Sequence, residues 1–283
     1  MKRVIPVFLI LFFLGVSIWF VSSNLALKRK NHQIRSVMIR GVRPAAEILP
    51  DRITALPSPV QRYIRYAMGD STEMKTMVQL KHAGWIQINQ DSNFYDHPEW
   101  KYLVAENWMR LDKPVLFWQC MIHLGWEFYL KGWNVLCDSL NENVLFWMGA
   151  WPVSQRSGTE IREINLGRYL IQAPWMPMVF LRGDLFRWQA VNDTSANVSV
   201  RSDSVSLSGT YYFDHEGKIT RLVIENQPRI VTGGFIRENR MVKYVYYSSV
   251  AGYQLPDRIF HFWQTPRGWI SDADFRLDEI MFR

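Results

Sequence analysis

Eighteen consecutive residues, Val4 to Val21, carry no charge. As a helix this run covers about 27 Å, close to the hydrocarbon thickness of a bilayer. Trp19 and Phe20 end it, where interfacial aromatics belong. The chain is therefore expected to be tethered to the cell membrane by a single span within residues 1–23. Lys2 and Arg3, with the small residues Val21-Ser22-Ser23, would also suit a cleaved leader. The apolar run is longer than a usual signal core, which favours retention as an anchor. Two basic residues precede the helix and six follow it, which leans toward a cytoplasmic domain. The leader-like opening points the other way, so the side stays open.

The formal charge of +7 is concentrated beside this segment. Eight of the 33 Lys and Arg residues fall before position 47, with no acid among them, leaving 25 basic against 26 acidic residues beyond. A nucleic-acid-binding fold would carry its own basic surface, so no nucleic-acid partner is expected. Residues 24–50 read as a basic juxtamembrane linker. Its cations either lie against anionic headgroups or act only as a solvated topology signal.

Residues 51–283 read as one β-rich domain. Ser58, Pro59 and Gln61 suggest a capped helix start, followed by Val60, Tyr63, Ile64, Ala67 and Met68 at helical spacing and stopped by Gly69. From Met74 the period changes to two. Strands are expected at Met74–Ile88, Tyr102–Arg110, Val115–Ile122, Trp126–Leu130, Trp133–Cys137, Val144–Met148, Ser204–Phe213, Ile219–Glu225, Met241–Ser248, Arg258–Trp263 and Trp269–Leu277. Several are apolar on both faces and must be covered twice. A second helix is expected over Glu160–Ala173, and Pro174 and Pro177 argue against a strand over Trp175–Leu181. The expected fold is mainly β (α+β): a strongly curved antiparallel sheet or half-barrel of about ten strands, with two helices on its concave side.

Leu56-Pro57-Ser58-Pro59-Val60-Gln61-Arg62-Tyr63, Arg168-Tyr169-Leu170 leading to Trp175-Met176-Pro177, Trp188 with Asn192-Asp193-Thr194-Ser195-Ala196, and Phe213-Asp214 with Gly217 follow one another in order. Together they resemble an uncharacterised bacterial family, a domain of unknown function behind a membrane helix or basic leader. Gln172 and Asn192 stand where that pattern often has Glu and Asp. The resemblance implies a shared fold and no assigned activity. Its architecture is similar to lipoprotein-carrier half-barrels that hold acyl chains, an analogy of fold only.

Catalytic and metal chemistry find little footing. His32, His82, His97, His123, His215 and His261 are scattered singly, without the close pairs that metal sites use. There is no Gly-x-Ser-x-Gly elbow, and Gly233-Gly234 is a lone turn signal. Asp272 and Asp274 share a strand face, but such acids are usually solvated. No cofactor, metal or catalytic residue is assigned, and an enzyme is the less favoured expectation. Cys120 and Cys137 are read as buried free thiols, with a cross-strand disulfide as the alternative.

The expected function is binding of a hydrophobic or lipid-like ligand. Arg62 and Arg168, each beside a tyrosine (Tyr63, Tyr169), could receive an anionic headgroup, or could instead fix the helices to the sheet. Trp118, Trp126, Trp147 and Trp175, within a larger set of Phe117, Phe128, Trp133, Phe146, Trp151 and Met176, could line an acyl groove or fill a core. A scaffold that engages a protein partner is the second reading, and a hydrolase with an unidentified site the third.

Overall fold

Period-two patterning produces one continuous antiparallel sheet in the computed structural model, which describes residues 4–40, 50–69, 71 and 74–283. Thirteen strands appear among the described residues, in two meandering arms. The first comprises β1 (Met77–Gln87), β2 (Trp100–Arg110), β3 (Leu116–Gly125), β4 (Phe128–Leu136), β5 (Asn141–Trp147) and β6 (Trp151–Ser157). The second comprises β7 (Phe186–Asn192), β8 (Ser195–Ser202), β9 (Val205–Phe213), β10 (Ile219–Val231), β11 (Gly234–Val250), β12 (Tyr253–Thr265) and β13 (Gly268–Phe282). The helices are α1 (Val4–Ile39), α2 (Pro50–Thr54), α3 (Ser58–Met68) and α4 (Thr159–Gln172). α4 connects the arms through two 3-10 turns, Ala173–Trp175 and Pro177–Leu181.

Spatial order runs from β6 back to β1, then β13 back to β7, so the arms meet at a single seam. There Lys81 opposes Glu279, Gly84 opposes Phe275 and Ile86 opposes Ala273. Gly84 is required by close approach: a Cβ at this position would stand 1.9 Å from the carbonyl oxygen of Asp274. Antiparallel neighbours joined by short turns need no crossover, and the accumulated twist of so many strands curls the sheet into a half-barrel.

Both faces are covered, as the two-faced strands require. Leu116, Trp118, Cys120 and Ile122 of β3 point into the main core, where α3, α4 and the 3-10 turns fill the concave side. Phe117 points the other way and joins Trp108, Trp133 and Val135 beneath Leu27, Ile34 and Met38 of α1. Each of those helical side chains gains roughly 1.5–3 kcal/mol from burial, as an upper estimate. Cys120 belongs to one face and Cys137 to the other, so both thiols are free and no bridge between them forms.

α1 is one helix with two environments. Its N-terminal half is exposed from Leu9 to Ile18 and is long and apolar enough to cross a membrane. Residues 24–39, read as part of a linker, continue the helix across the outside of the sheet, and 41–49 lie outside the described residues. Basic residues there meet acids of the sheet: Lys30 Nζ is 2.9 Å from Glu142, and Arg35 lies 3.8 Å over the Trp108 ring and donates to Gln119 at 3.1 Å.

Several local expectations need correction. The stretches Trp126–Leu130 and Trp133–Cys137 form one strand, β4, because Gly132 allows the ladder to run on: its absent Cβ would sit 2.3 Å from the Val144 carbonyl. The expected strands lack β6, β7 and β8: β6 and β7 are sheet edges with exposed, irregular patterning, whereas β8 does alternate, with Ala196, Val198 and Val200 buried, and its signal was there to be read. Ser58 is the first residue of α3, not its cap; Gln61 Nε2 instead donates to the Leu56 carbonyl at 2.8 Å.

Candidate functional site

The concave interior is solid beneath α3 and the 3-10 turns, where buried phenols and an indole are pinned to main-chain carbonyls. Tyr63 donates to Pro174 O at 2.9 Å, Tyr169 to Arg110 O at 2.7 Å and Tyr244 to Ile171 O at 2.8 Å. Tyr211 donates to Leu170 O at 2.5 Å and the Trp175 indole to Pro256 O at 2.7 Å. The bonds to Leu170, Ile171 and Pro174 satisfy carbonyls at and just beyond the end of α4, while those to Arg110 and Pro256 tie α4 and the first 3-10 turn to β2 and β12. Burial pushes all four phenols far above their ordinary value, so they act as neutral donors. A Tyr63→Phe variant is expected to lose about 1–2 kcal/mol, read as a lower urea midpoint, because Pro174 O is left without its donor.

Beside α4 the packing opens. A cavity of about 470 Å³ lies between the two arms, within the roughly 300–1,000 Å³ usual for small-molecule sites. Ile86, Ile122, Leu130, Leu145, Ile164 and Ile230 give it apolar walls, while Arg168, Arg240 and Asp272 supply its inner charges. α4 approaches β10 so closely because position 167 is glycine; a Cβ there would meet the Gln227 amide at 1.9 Å. Asn165 holds the same turn by donating to Val135 O at 2.9 Å. Arg168 is thereby aimed into the cavity rather than into solvent.

The Arg168 guanidinium lies 4.1 Å from the Trp118 ring centroid. With the Asn134 amide turned so that its oxygen faces the arginine, that oxygen accepts at 3.1 and 3.3 Å. Among the described residues no carboxylate comes within ion-pair distance of Arg168. Burial, reinforced by Arg240, brings its pKa down to about 10, still charged at neutral pH.

Arg240 donates to His261 Nδ1 at 2.7 Å and lies 3.9 Å from Asp272, whose other contact is the Trp263 indole at 2.8 Å. His82 Nε2 accepts from the Trp118 indole at 2.9 Å. Both histidines are neutral: burial and Arg168 push His82 down to about 3, and burial with Arg240 holds His261 well below the ordinary imidazole value. His82 Nδ1, His261 Nε2, Arg240 Nε and Asp272 Oδ1 are buried without a hydrogen-bond partner. The inner cluster thus holds two guanidinium charges against one carboxylate, and Arg156 and the Glu238-paired Arg229 also line the cavity, an excess suited to an anionic group.

Of the residues singled out in the sequence, Arg168 lines this cavity and Trp118 backs it. Trp175 is deeper, 5.7 Å from the His82 ring. Tyr63 and Tyr169 belong to the solid core. Arg62 lies on the outer side of α3, donating to Ser58 Oγ at 3.0 Å and to the Asp193 carbonyl. Trp126 is 99 % exposed at the β3–β4 turn, and Trp147 stacks at 5.8 Å on Phe128 at the same edge. Arg240, Trp263 and His261 were not anticipated, because nothing in their spacing distinguishes them from ordinary strand residues. Asp272 drew notice only as an acid on a strand face.

A larger groove of about 1090 Å³ at the opposite end has a mixed lining, and two of its four arginines are paired, Arg182 with Asp184 at 2.7 Å and Arg110 with Asp112. Among the described residues no group of three or more His, Cys, Asp or Glu side chains is placed to hold a metal ion.

A mainly antiparallel half-barrel, an apolar N-terminal helix and an arginine-floored cavity define the class. The chain belongs to the family described as a family of unknown function, DUF6544, which it matches over residues 46–273. No curated protein matches the sequence. Among solved structures it is similar to a LolA superfamily protein from Nitrosomonas europaea, at 10% identity and a TM-score of 0.39, covering 80% of this chain and 92% of that one. It is also similar to a β-barrel-like protein of the domain of unknown function DUF1849 from Brucella abortus, at 8% identity and a TM-score of 0.23, covering 74% and 99%.

Proposed function

We propose that this protein is a membrane-tethered binder of an amphiphile, one with an apolar body and an anionic head. Residues 1–23 are its anchor, and the β-rich domain holds the ligand in the cavity beside α4. The observation that carries this reading is Arg168: a largely buried guanidinium on the lining of a partly apolar cavity, in contact with a ring and an amide and, among the described residues, with no carboxylate within ion-pair distance. A largely buried cation without an ion-pair partner is costly, and a bound carboxylate or phosphate would offset that cost with charge-assisted hydrogen bonds. Arg240 is the second contact for the head, and Ile122, Leu130 and Leu145 receive the body. Chemistry on the ligand is not part of this reading, since the histidines are neutral and Asp272 is engaged by Trp263 and Arg240.

Native mass spectrometry of the full chain released from detergent tests it. The expected result is an amphiphile bound one to one. Arg168→Met should weaken binding of a fluorescent fatty-acid probe by about 30-fold or more, a loss of roughly 2 kcal/mol. The same variant should unfold no more easily than the parent, because it removes a buried charge. Absence of any bound amphiphile together with no saturable uptake of the probe would end this reading and favour a scaffold that engages a protein partner.

A further inference from the structure

Hairpin turns usually carry polar or small residues, and most of those here do: Asp193-Thr194, Asp203-Ser204, Thr232-Gly233, Ala251-Gly252 and Pro266-Arg267. Two do not. The β3–β4 turn presents Trp126, wholly exposed, with Phe128 half exposed beside it. The β5–β6 turn presents Met148 between Trp147 and Trp151. Trp126 and Met148 both adopt left-handed backbone, with φ of 52° and 53°, a conformation that disfavours bulky side chains and suits glycine or asparagine. Large apolar residues thus stand where solubility and backbone strain both argue against them.

These two turns are also where α1 leaves the domain. The Trp19 ring lies 4.4 Å from that of Trp151, and Asn24 Nδ2 donates to Met148 O at 3.4 Å. Beyond this contact toward the N-terminus, the helix runs free through its apolar stretch. A bilayer crossed by that stretch has its interface at Trp19, at the level of both turns. Gly125–Phe128 and Met148–Trp151 also join the strand ends that supply Ile122, Leu130, Leu145 and Val153 to the cavity.

We propose that the β3–β4 and β5–β6 turns seat their aromatics in the lipid interface beside α1, holding the cavity end of the half-barrel against the bilayer. This rests on the tethered reading above and adds a second, peripheral contact to it. An amphiphile would then pass between bilayer and cavity with little exposure of its apolar body to water.

The test uses the full chain in nanodiscs of phosphatidylethanolamine and phosphatidylglycerol containing a spin-labelled quencher lipid. Both native cysteines are buried, so a thiol-reactive fluorophore can be directed to Glu127→Cys, at the turn, or to Asp138→Cys, at the far end of the sheet. The expected result is several-fold stronger quenching at 127 than at 138, reduced when Trp126→Asp and Phe128→Asp are added. Equal quenching with and without those substitutions would mean that the helix alone imposes proximity, and would overturn the proposal. So would an unquenched label at 127 alongside a quenched one at Phe12→Cys, a result that leaves the tether standing. An unquenched label at Phe12→Cys would overturn the tether and this contact together.

Discussion

Gly84→Ala is expected to cost about 4 kcal/mol or more of folding stability, or to prevent folded protein from accumulating. A methyl group at this position would need the space now held by the Asp274 carbonyl, 1.9 Å away on the facing strand. Main chain cannot rotate aside as a side chain can, so β1 and β13 would have to separate locally. That ladder is the one place where the two arms pair, and its loss would expose Ala273 and Phe275 at the centre of the core. Gly252→Ala provides the contrast. It has a φ of +84° but open space around it, so backbone strain of about 1 kcal/mol is the whole expected cost. Urea unfolding of the two variants measures the difference, and similar midpoints would refute the steric account of the seam.

Acid should destabilise the domain steeply, before most carboxylates titrate. His82 is buried and neutral, with a folded pKa near 3 against about 6.5 in an unfolded chain, and His261 is depressed in the same direction. Below pH 6.5 the unfolded chain takes up protons that the native state refuses. The stabilisation from neutral His82 is therefore complete above that pH and declines by about 1.4 kcal/mol per unit as pH falls toward 3, and neutral His261 acts in the same sense. Between pH 7 and pH 4.5 His82 alone predicts a loss of about 2.5 kcal/mol, and His261 adds to it in the same direction. His82→Gln keeps an acceptor for the Trp118 indole and should make the slope shallower. A stability change below about 1 kcal/mol across this interval in the parent chain would show that these imidazoles are not held neutral.

Much of the architecture was legible because it follows from periodicity. Alternation in Val205–Phe213 and the helical spacing of Val60, Tyr63, Ile64 and Ala67 each specify a buried face without knowledge of the partner. The apolar character of both faces of β3 announced two coverings, though not that α1 would be the outer one. Edge strands β6 and β7 escaped notice because an edge lacks a second neighbour and needs no strict pattern. The candidate site was legible only through Arg168. Its companions Arg240, Asp272 and His261 come from three different strands of the second arm, and only the register between β11, β12 and β13 brings them together. A register over long sequence separation leaves no local trace in composition or spacing.

The seam between β1 and β13 also bears on biosynthesis. A ribosome delivers β1 nearly two hundred residues before the strand that completes it, because Lys81 pairs with Glu279. Throughout that interval the first arm can form its hairpins, yet one side of β1 still offers unpaired amides and carbonyls to any passing chain. Closure is thus a late event of high contact order, and the nascent protein has reason to depend on chaperones or on rapid docking of α1 until β13 emerges.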